Sequence, residues 1–419
     1  MGNGQIKYNS VTLDPDKCNG CINCMKQCPT EAIRVRNGKA KINTAACVDC
    51  GECVRICRSK AKVPVFDSLN SALNDGHKYK IALAGPSLFA QFNNLKDINT
   101  VLSGLKAIGF DNVYETALGC EIVTNATISL FNEGKLTKPL ISSACPAILQ
   151  LILYKYESLI GNVSPVMAPE EIAARMAREE TVKATGLKNE DIGVYFISPC
   201  SASVCSLKTG TAKDYIDCVL SQSEIYFKLL SVLGKTEKTE NIARAGRLGL
   251  SWCLIGGEAK GAQRDRFLAA DGIENVISVL DALDDGQLSG LDFVELAACP
   301  GGCVGGVLNI ENPFVARSKI QLLKKVMPET EKNWIYGGID TSRFINKEPY
   351  AASGVYKLSE DRAAAMKTLM EINRIHSALP GFDCGMCGAP SCRAFAEDVA
   401  KGLSNIKCMR TAKSQDFAE

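Results

Sequence analysis

Apolar and polar positions follow three different rhythms along the chain. Residues 1–62 are turn-rich and internally repeated, with no long apolar period. From KYKIALAG (78–85) onward, apolar runs alternate with segments of helical period. KYKIALAG predicts a buried strand entering a Gly85–Pro86 turn. GVYFISPC (193–200) and FVELAACPGG (293–302) predict strands that run into loops. PEEIAARMAREETVKATG (169–186) predicts a helix, with Pro in its first turn, acids early and Gly at its end. Strands alternating with helices predict an α/β middle region. GKTEKTENIARAGR (234–247) mixes charges as a solvated surface loop or helix does. Beyond it, LSEDRAAAMKTLMEINRIHSAL (358–379) repeats apolar residues at helical spacing, with Ser359 placed to cap it. A helix of about four turns is expected from Ser391 towards Cys408.

Composition narrows the class. Hydrophobic residues make up 46% and charged residues 22%, which excludes a disordered or fibrous chain. A length of 419 residues predicts two to four domains. The 48 basic and 46 acidic residues leave a net charge of +2, so neither a nucleic-acid partner nor a membrane-surface partner is expected. The longest apolar run, near 147–154, is broken by Gln150 and falls short of the ~18 residues of a membrane span. The start, MGNGQIKYNS, is polar and has no apolar export segment, so a cytoplasmic location is expected. Against this plain background stand 20 Cys and only 2 His. In a thiol-reducing compartment those cysteines are expected to be metal ligands or redox groups. Neither histidine is expected to bind metal: His77 lies in a polar linker, and His376 near a predicted helix end.

The cysteines come in three groups. Cys18, Cys21, Cys24 and Cys28 follow C-x2-C-x2-C-x3-C, and the spacing recurs at Cys47, Cys50, Cys53 and Cys57. This is the two-cluster ferredoxin run, in which the fourth Cys of each run ligates the other cluster. The first [4Fe-4S] cluster is therefore assigned to Cys18, Cys21, Cys24 and Cys57, and the second to Cys47, Cys50, Cys53 and Cys28. Arg58 stands where proline follows the first run, a change in the turn and not in the ligand. Zinc and disulfides are the competing readings of such thiols. At the other end Cys384, Cys387, Cys392 and Cys408 follow C-x2-C-x4-C-x15-C, which suits a further iron–sulfur cluster or, with the same thiolates, zinc.

Between them lie SSACPAI (142–148), FISPCSASVC (196–205) and ELAACPGGCVGG (295–306). These loops resemble those of the [FeFe]-hydrogenase family, and the order of modules resembles it over essentially the whole chain. The resemblance implies that Cys145, Cys200, Cys299 and Cys303 hold the cubane of an H-cluster, with Cys303 bridging to a diiron subcluster. Gly301, Gly302, Gly305 and Gly306 are expected to let the backbone wrap closely around the cofactor, their amides free to face sulfide. The departures are equally specific. Ala144 replaces a proton-relay Cys, Ser203 replaces a Lys, Ser198 replaces a Met and Ile148 replaces a Trp; Lys208 is out of register. These changes resemble the family's sensory branch, and they leave open a protein that binds only the cubane. Glu121, in YETALGCEIV, lies in a segment resembling the family's proton path and is a candidate relay carboxylate. Cys120, Cys205, Cys218 and Cys253 are unassigned and read as small buried hydrophobes, with Cys205 the candidate exception because it follows Cys200 by five residues.

The expectation is an α+β ferredoxin module (1–62), an α/β two-lobed [FeFe]-hydrogenase-like domain (78–355) and a small, mostly helical iron–sulfur domain (356–419). About four [4Fe-4S] clusters are expected, counting the H-cluster cubane. Dihydrogen and protons are the candidate substrates, and a redox or signalling protein is the candidate partner.

Overall fold

The computed structural model describes residues 8–134, 136–233, 239–329, 339–404, 407, 408 and 410. The chain divides into two compact units. The larger comprises Asp49–Gly51 and Pro64–Ala351; the smaller comprises Met1–Val48, Glu52–Val63 and Ala352–Glu419. Where the sequence predicts three consecutive modules, the two ends of the chain fold into one unit.

The larger unit is built on two parallel sheets. One orders its strands Asn112–Glu115, Tyr79–Ala84, Ile192–Ser198 and Cys218–Ser221. The other orders Phe267–Asp271, Phe293–Ala297 and Leu140–Ile141. Ile81, Ala82, Leu83, Val194, Tyr195, Phe196 and Ile197 are all buried, because a parallel sheet is covered on both faces. That explains why these strands read as continuous apolar runs. The predicted helix forms over Pro169–Thr185 and stops at Gly186, whose φ of 71° suits glycine. Of the segment 234–247, residues 234–238 lie outside the described ones, and Arg247 opens the short helix Arg247–Ser251.

The smaller unit contains two two-stranded sheets. The strand Val11–Leu13 pairs with Lys62–Pro64, and Ile33–Arg36 pairs antiparallel with Lys39–Ile42. Two helices from the C-terminal region complete it, and both differ from expectation at their ends. The first runs Arg362–Ser377 and is capped by Asp361, whose carboxylate accepts from the Ala364 N–H at 2.8 Å. Ser359, the predicted cap, instead accepts from the Asp361 N–H at 3.2 Å. The second is capped by Ser391 as predicted but spans only the nine residues Cys392–Ala400. It stops before Gly402, which turns the chain at a φ of 67°.

The hairpin after the first cysteine run meets the C-terminal segment through an ion clamp. Asp398 accepts from Arg34 at 2.7 and 3.0 Å and from Arg36 at 2.8 Å. The Val35 N–H donates to the Gly388 carbonyl at 2.9 Å, and Lys26 Nζ donates to the carbonyls of Asp383 and Pro390, both at 2.7 Å. A Cβ on Gly388 would lie 1.9 Å from the Val35 carbonyl oxygen, so this approach requires glycine. Gly385 packs against the side-chain ends of Met25 and Ile22, which brings the Cys384–Cys387 loop against the Cys21–Cys24 loop.

Candidate metal centres

In the larger unit, three cysteine loops leave the C-terminal ends of parallel strands, the position at which α/β sheets place their ligands. Cys145 follows Leu140–Ile141, Cys200 follows Ile192–Ser198, and Cys299 follows Phe293–Ala297. Their thiols and that of Cys303 face one cavity of about 120 Å³. Cys145 and Cys200 each precede the first residue of a helix, Pro146–Lys155 and Ser201–Thr209, so the positive helix end favours their thiolates. The Ser203 N–H donates to Cys200 Sγ at 3.4 Å, and the Ser203 hydroxyl lies 3.2 Å from the same sulfur.

Three of these thiols resist ionisation by themselves. Burial pushes Cys200 up to about 12, with the Cys299 charge adding to it, and raises Cys145 and Cys303 for the same reasons. Cys303 is enclosed by protein mass, yet its own surface is open to the cavity. A cationic iron–sulfur core supplies the missing counter-charge. The sulfurs ring a space and do not meet at a point. Among the described residues, no group of three or more His, Cys, Asp or Glu side chains is placed to hold a single metal ion. That arrangement fits a cubane, which takes one thiolate at each of four separate iron corners.

The glycines act differently from expectation. Of the four, only Gly302 is part of the cavity lining. The amides expected to face sulfide are engaged by the protein: Gly301 donates to the Asp271 carboxylate, Gly302 to the Cys299 carbonyl, Gly305 to that of Gly302 and Gly306 to that of Cys303. The need for glycine comes from backbone crowding. A Cβ on Gly305 would lie 2.0 Å from the Pro300 oxygen, and one on Gly306 would lie 2.1 Å from the Pro199 oxygen.

Ala144 and Ser203 both line the cavity, while no Lys, Arg or His does so among the described residues. Ser198 is buried and folds back on the ligand loop, donating to the Cys200 carbonyl at 2.9 Å and accepting its N–H at 3.2 Å. Lys208 pairs with Asp67 at 2.6 Å and is not part of the lining. Ile148 packs in the core. Cys120 and Cys253 are buried as expected and also line the cavity, whereas Cys205 is a core residue.

Glu121 lies outside the cavity lining, and its carboxylate accepts from the N–H groups of Gly246 at 2.8 Å and Gly249 at 3.2 Å. It thereby holds the entry to helix Arg247–Ser251, the position of a capping acid. The acids that do line the cavity are Glu170, Glu258 and Glu295. Burial raises Glu170 to about 7 and Glu258 to about 8; the neighbouring Glu295 charge adds to the latter. Glu295 itself is raised to about 7 by burial, against bonds from the Gly256 and Ala259 amides. The Ser142 hydroxyl donates to Glu258 at 2.5 Å and accepts the Ala144 N–H at 3.1 Å. Sequence reading missed this group because its members come from three separate segments, with no spacing to signal it.

In the smaller unit, Cys18, Cys21, Cys24 and Cys57 line one void, as their spacing predicts. The repeat carries through to atomic detail. Ala32 N–H donates to Cys28 Sγ at 3.3 Å, and Ala61 N–H donates to Cys57 Sγ at 3.2 Å. Arg58 therefore leaves the geometry of the second run intact. Cys28 and Cys47 both exert their charge on Cys53, whose thiol is raised by burial. Cys50 falls in the Asp49–Gly51 segment that groups with the larger unit. A second void is lined by Cys384, Cys387, Cys392 and Cys408. Lys62 supplies a direct test of fit: its Nζ is buried without a hydrogen-bond partner beside the first void, where a cluster dianion would balance it.

Comparison with known proteins agrees with each module. The model of the family described as iron only hydrogenase large subunit, C-terminal domain, matches residues 78–239 and 235–307. A 4Fe-4S dicluster domain model matches 10–58, and an Fe-S cluster model matches 379–408. The NADP-reducing hydrogenase subunit HndD of Solidesulfovibrio fructosivorans is 23% identical over 381 residues, 71% of this chain and 64% of that protein. A probable cytosolic Fe-S cluster assembly factor of Brugia malayi is 21% identical over 277 residues, covering 54% of this chain and 61% of the relative. The chain thus matches less than two thirds of the length of either. The structure of apo [FeFe]-hydrogenase HydA1 from Chlamydomonas reinhardtii shares the fold, with a TM-score of 0.51 at 16% identity over 68% of this chain and 98% of that one. With the hydrogenase-domain model matched over more than half of the chain, and four thiols facing one cavity at the strand ends, the protein belongs to the iron-only, or [FeFe], hydrogenase family.

Proposed function

We propose that this iron–sulfur protein acts as a sensory-type [FeFe]-hydrogenase-like oxidoreductase. It handles dihydrogen and protons at low turnover and passes electrons through [4Fe-4S] clusters to a redox or signalling protein. The observation that carries the reading is Ala144 in the cavity wall beside Cys145. A methyl group neither takes nor gives a proton, so rapid exchange at that wall is absent. Behind it, Ser142 links the Ala144 amide to the Glu258 carboxyl. Glu258 and Glu295, raised to about 8 and about 7, are poised to hold or release a proton near neutral pH. When bound, the H-cluster supplies the iron chemistry that cleaves or forms dihydrogen. Cys145, Cys200, Cys299 and Cys303 hold it, and the Ser142–Glu258 pair holds the proton that enters or leaves.

The deciding experiment is infrared spectroscopy of the protein matured with the diiron cofactor. Bands of CO and cyanide, with slow hydrogen uptake that falls about 10²-fold in Glu258→Gln, are expected. A matured sample without those bands refutes the proposal.

Ser203 and Ser198 favour a second reading. No cationic side chain lines the cavity among the described residues, so none is placed to pair with a cyanide of the diiron unit. A subunit that keeps only the cubane, for electron transfer or as a scaffold, is consistent with that lining. Iron near sixteen per chain after maturation, about four per cubane in four cubanes, would select it; the diiron unit would add two, for about eighteen.

A further inference from the structure

Lys62 opens the strand Lys62–Pro64, five residues past the ligand Cys57. It is 3% exposed, and its ammonium nitrogen is buried with no hydrogen-bond partner. Lys62 is part of the lining of the void ringed by Cys18, Cys21, Cys24 and Cys57. Its charge reaches both N-terminal sets, lowering the thiol pKa of Cys24 in the first and of Cys53 in the second against the larger effect of burial. An unpaired ammonium in a protein interior costs several kcal/mol, and such groups persist where an opposite charge compensates them. No carboxylate forms an ion pair with Lys62 among the described residues, so the compensating charge must come from the thiolate-bound clusters.

We propose that Lys62 is a built-in counter-charge that sets the reduction potential of the N-terminal [4Fe-4S] clusters, the Cys18–Cys21–Cys24–Cys57 cluster most strongly. A [4Fe-4S] core in its 2+ state with four thiolates carries a charge of about −2, and adding one electron makes it about −3. A fixed positive charge alongside stabilises the reduced form more than the oxidised one, by Coulomb's law in a medium of low effective dielectric. One electron arrives from a one-electron iron–sulfur or flavin carrier, which is oxidised by one. No bond forms or breaks in the protein as the electron arrives. This deepens the proposed electron-transfer role and rests on the ferredoxin module holding its clusters; it does not need the diiron unit.

The test is an EPR-monitored redox titration of the full-length protein with its [4Fe-4S] clusters, poised by dithionite and viologen mediators. Lys62→Met keeps the apolar stem and removes the charge. It should weaken reduction of the first N-terminal cluster by about tenfold or more, a shift of at least roughly 59 mV to lower potential for one electron. The second cluster should shift less, and the signal lost in Cys384→Ser, that of the C-terminal cluster, should not shift. Lys62→Arg should titrate within about threefold of the unaltered protein, because the charge is retained. A Lys62→Met protein with unaltered potentials overturns the proposal. Should Met and Gln variants both lose iron from the N-terminal module while Arg retains it, the need for charge stands; should all three lose it, the role is one of shape and the proposal fails. An unaltered protein with no N-terminal cluster signal would overturn the module assignment as well, which separates the two failures.

Discussion

The clamp at Asp398 is the strongest single test of how the two ends of the chain are held together. The perturbation is Asp398→Asn, which keeps the shape and removes the charge. The carboxylate receives three charge-assisted hydrogen bonds, two from Arg34 and one from Arg36. An amide has one acceptor oxygen, so at least one of these bonds is lost and both guanidinium groups are left undercompensated. A hydrogen bond to a charged group contributes roughly 1.5–3 kcal/mol, and breaking a buried pair costs about 3–5 kcal/mol. The Asp398 side chain is 9% exposed, but Arg34 and Arg36 are 23% and 16% exposed, so water recovers part of the loss. About 3 kcal/mol is the resulting expectation. Hydrogen–deuterium exchange of the cluster-loaded protein reports it. The Val35 amide, bonded to the Gly388 carbonyl, and the amides of Cys392–Ala400 should exchange about a hundredfold faster. A double variant with Arg34→Gln should lose less than the sum of the two single changes. Unchanged exchange in both segments, with iron content retained, would refute the view that this clamp holds the modules together.

Three other outcomes follow from the same geometry. Ala144→Cys restores a thiol to the cavity wall, and hydrogen turnover of the matured protein should rise on the order of 10²-fold; an unaltered rate would show that proton supply at this wall is not limiting. Glu258→Gln should flatten the pH dependence of stability. Its folded pKa of about 8 exceeds the ordinary glutamate value of 4.5, so the folded protein keeps a proton that the unfolded chain releases, and stability falls as pH rises between these values at up to about 1.4 kcal/mol per unit. Anaerobic melting at intervals over that range should show a shallower decline for the variant, with Glu170 and Glu295 contributing to the residual slope; identical slopes would discount the buried acid. Gly305→Ala drives a methyl towards the Pro300 oxygen at 2.0 Å, while Gly290→Ala meets no atom within 4 Å. The first should cost about 3 kcal/mol or more and release cubane iron, and the second should do neither, as melting and iron assay would show.

The ligand sets are the most legible part of this chain, because wrapping a loop around a cubane demands a local and repeated spacing. The run beginning at Cys18 and its repeat at Cys47 needed no tertiary information, and the amide–sulfur bonds to Cys28 and Cys57 reproduce that repeat. Strands such as Ile192–Ser198 and the helix Pro169–Thr185 were equally readable, since burial of a parallel strand and helix-end chemistry leave local marks. What the tertiary structure alone decided is long-range. Arg34 meets Asp398 across 364 residues, and no pattern of neighbours signals such a pair. Glu258, Glu295 and Ser142 become acid–base partners only when separate segments converge, and their proton affinity comes from the burial that convergence creates. Glu121 shows the converse: a carboxylate in a suggestive segment whose bonds tie it to a helix entry. The opening excess of cysteine over histidine named the chemistry. The placement of uncharged Ala144, buried acids and one unpaired lysine, each set by folding, determines how that chemistry is tuned.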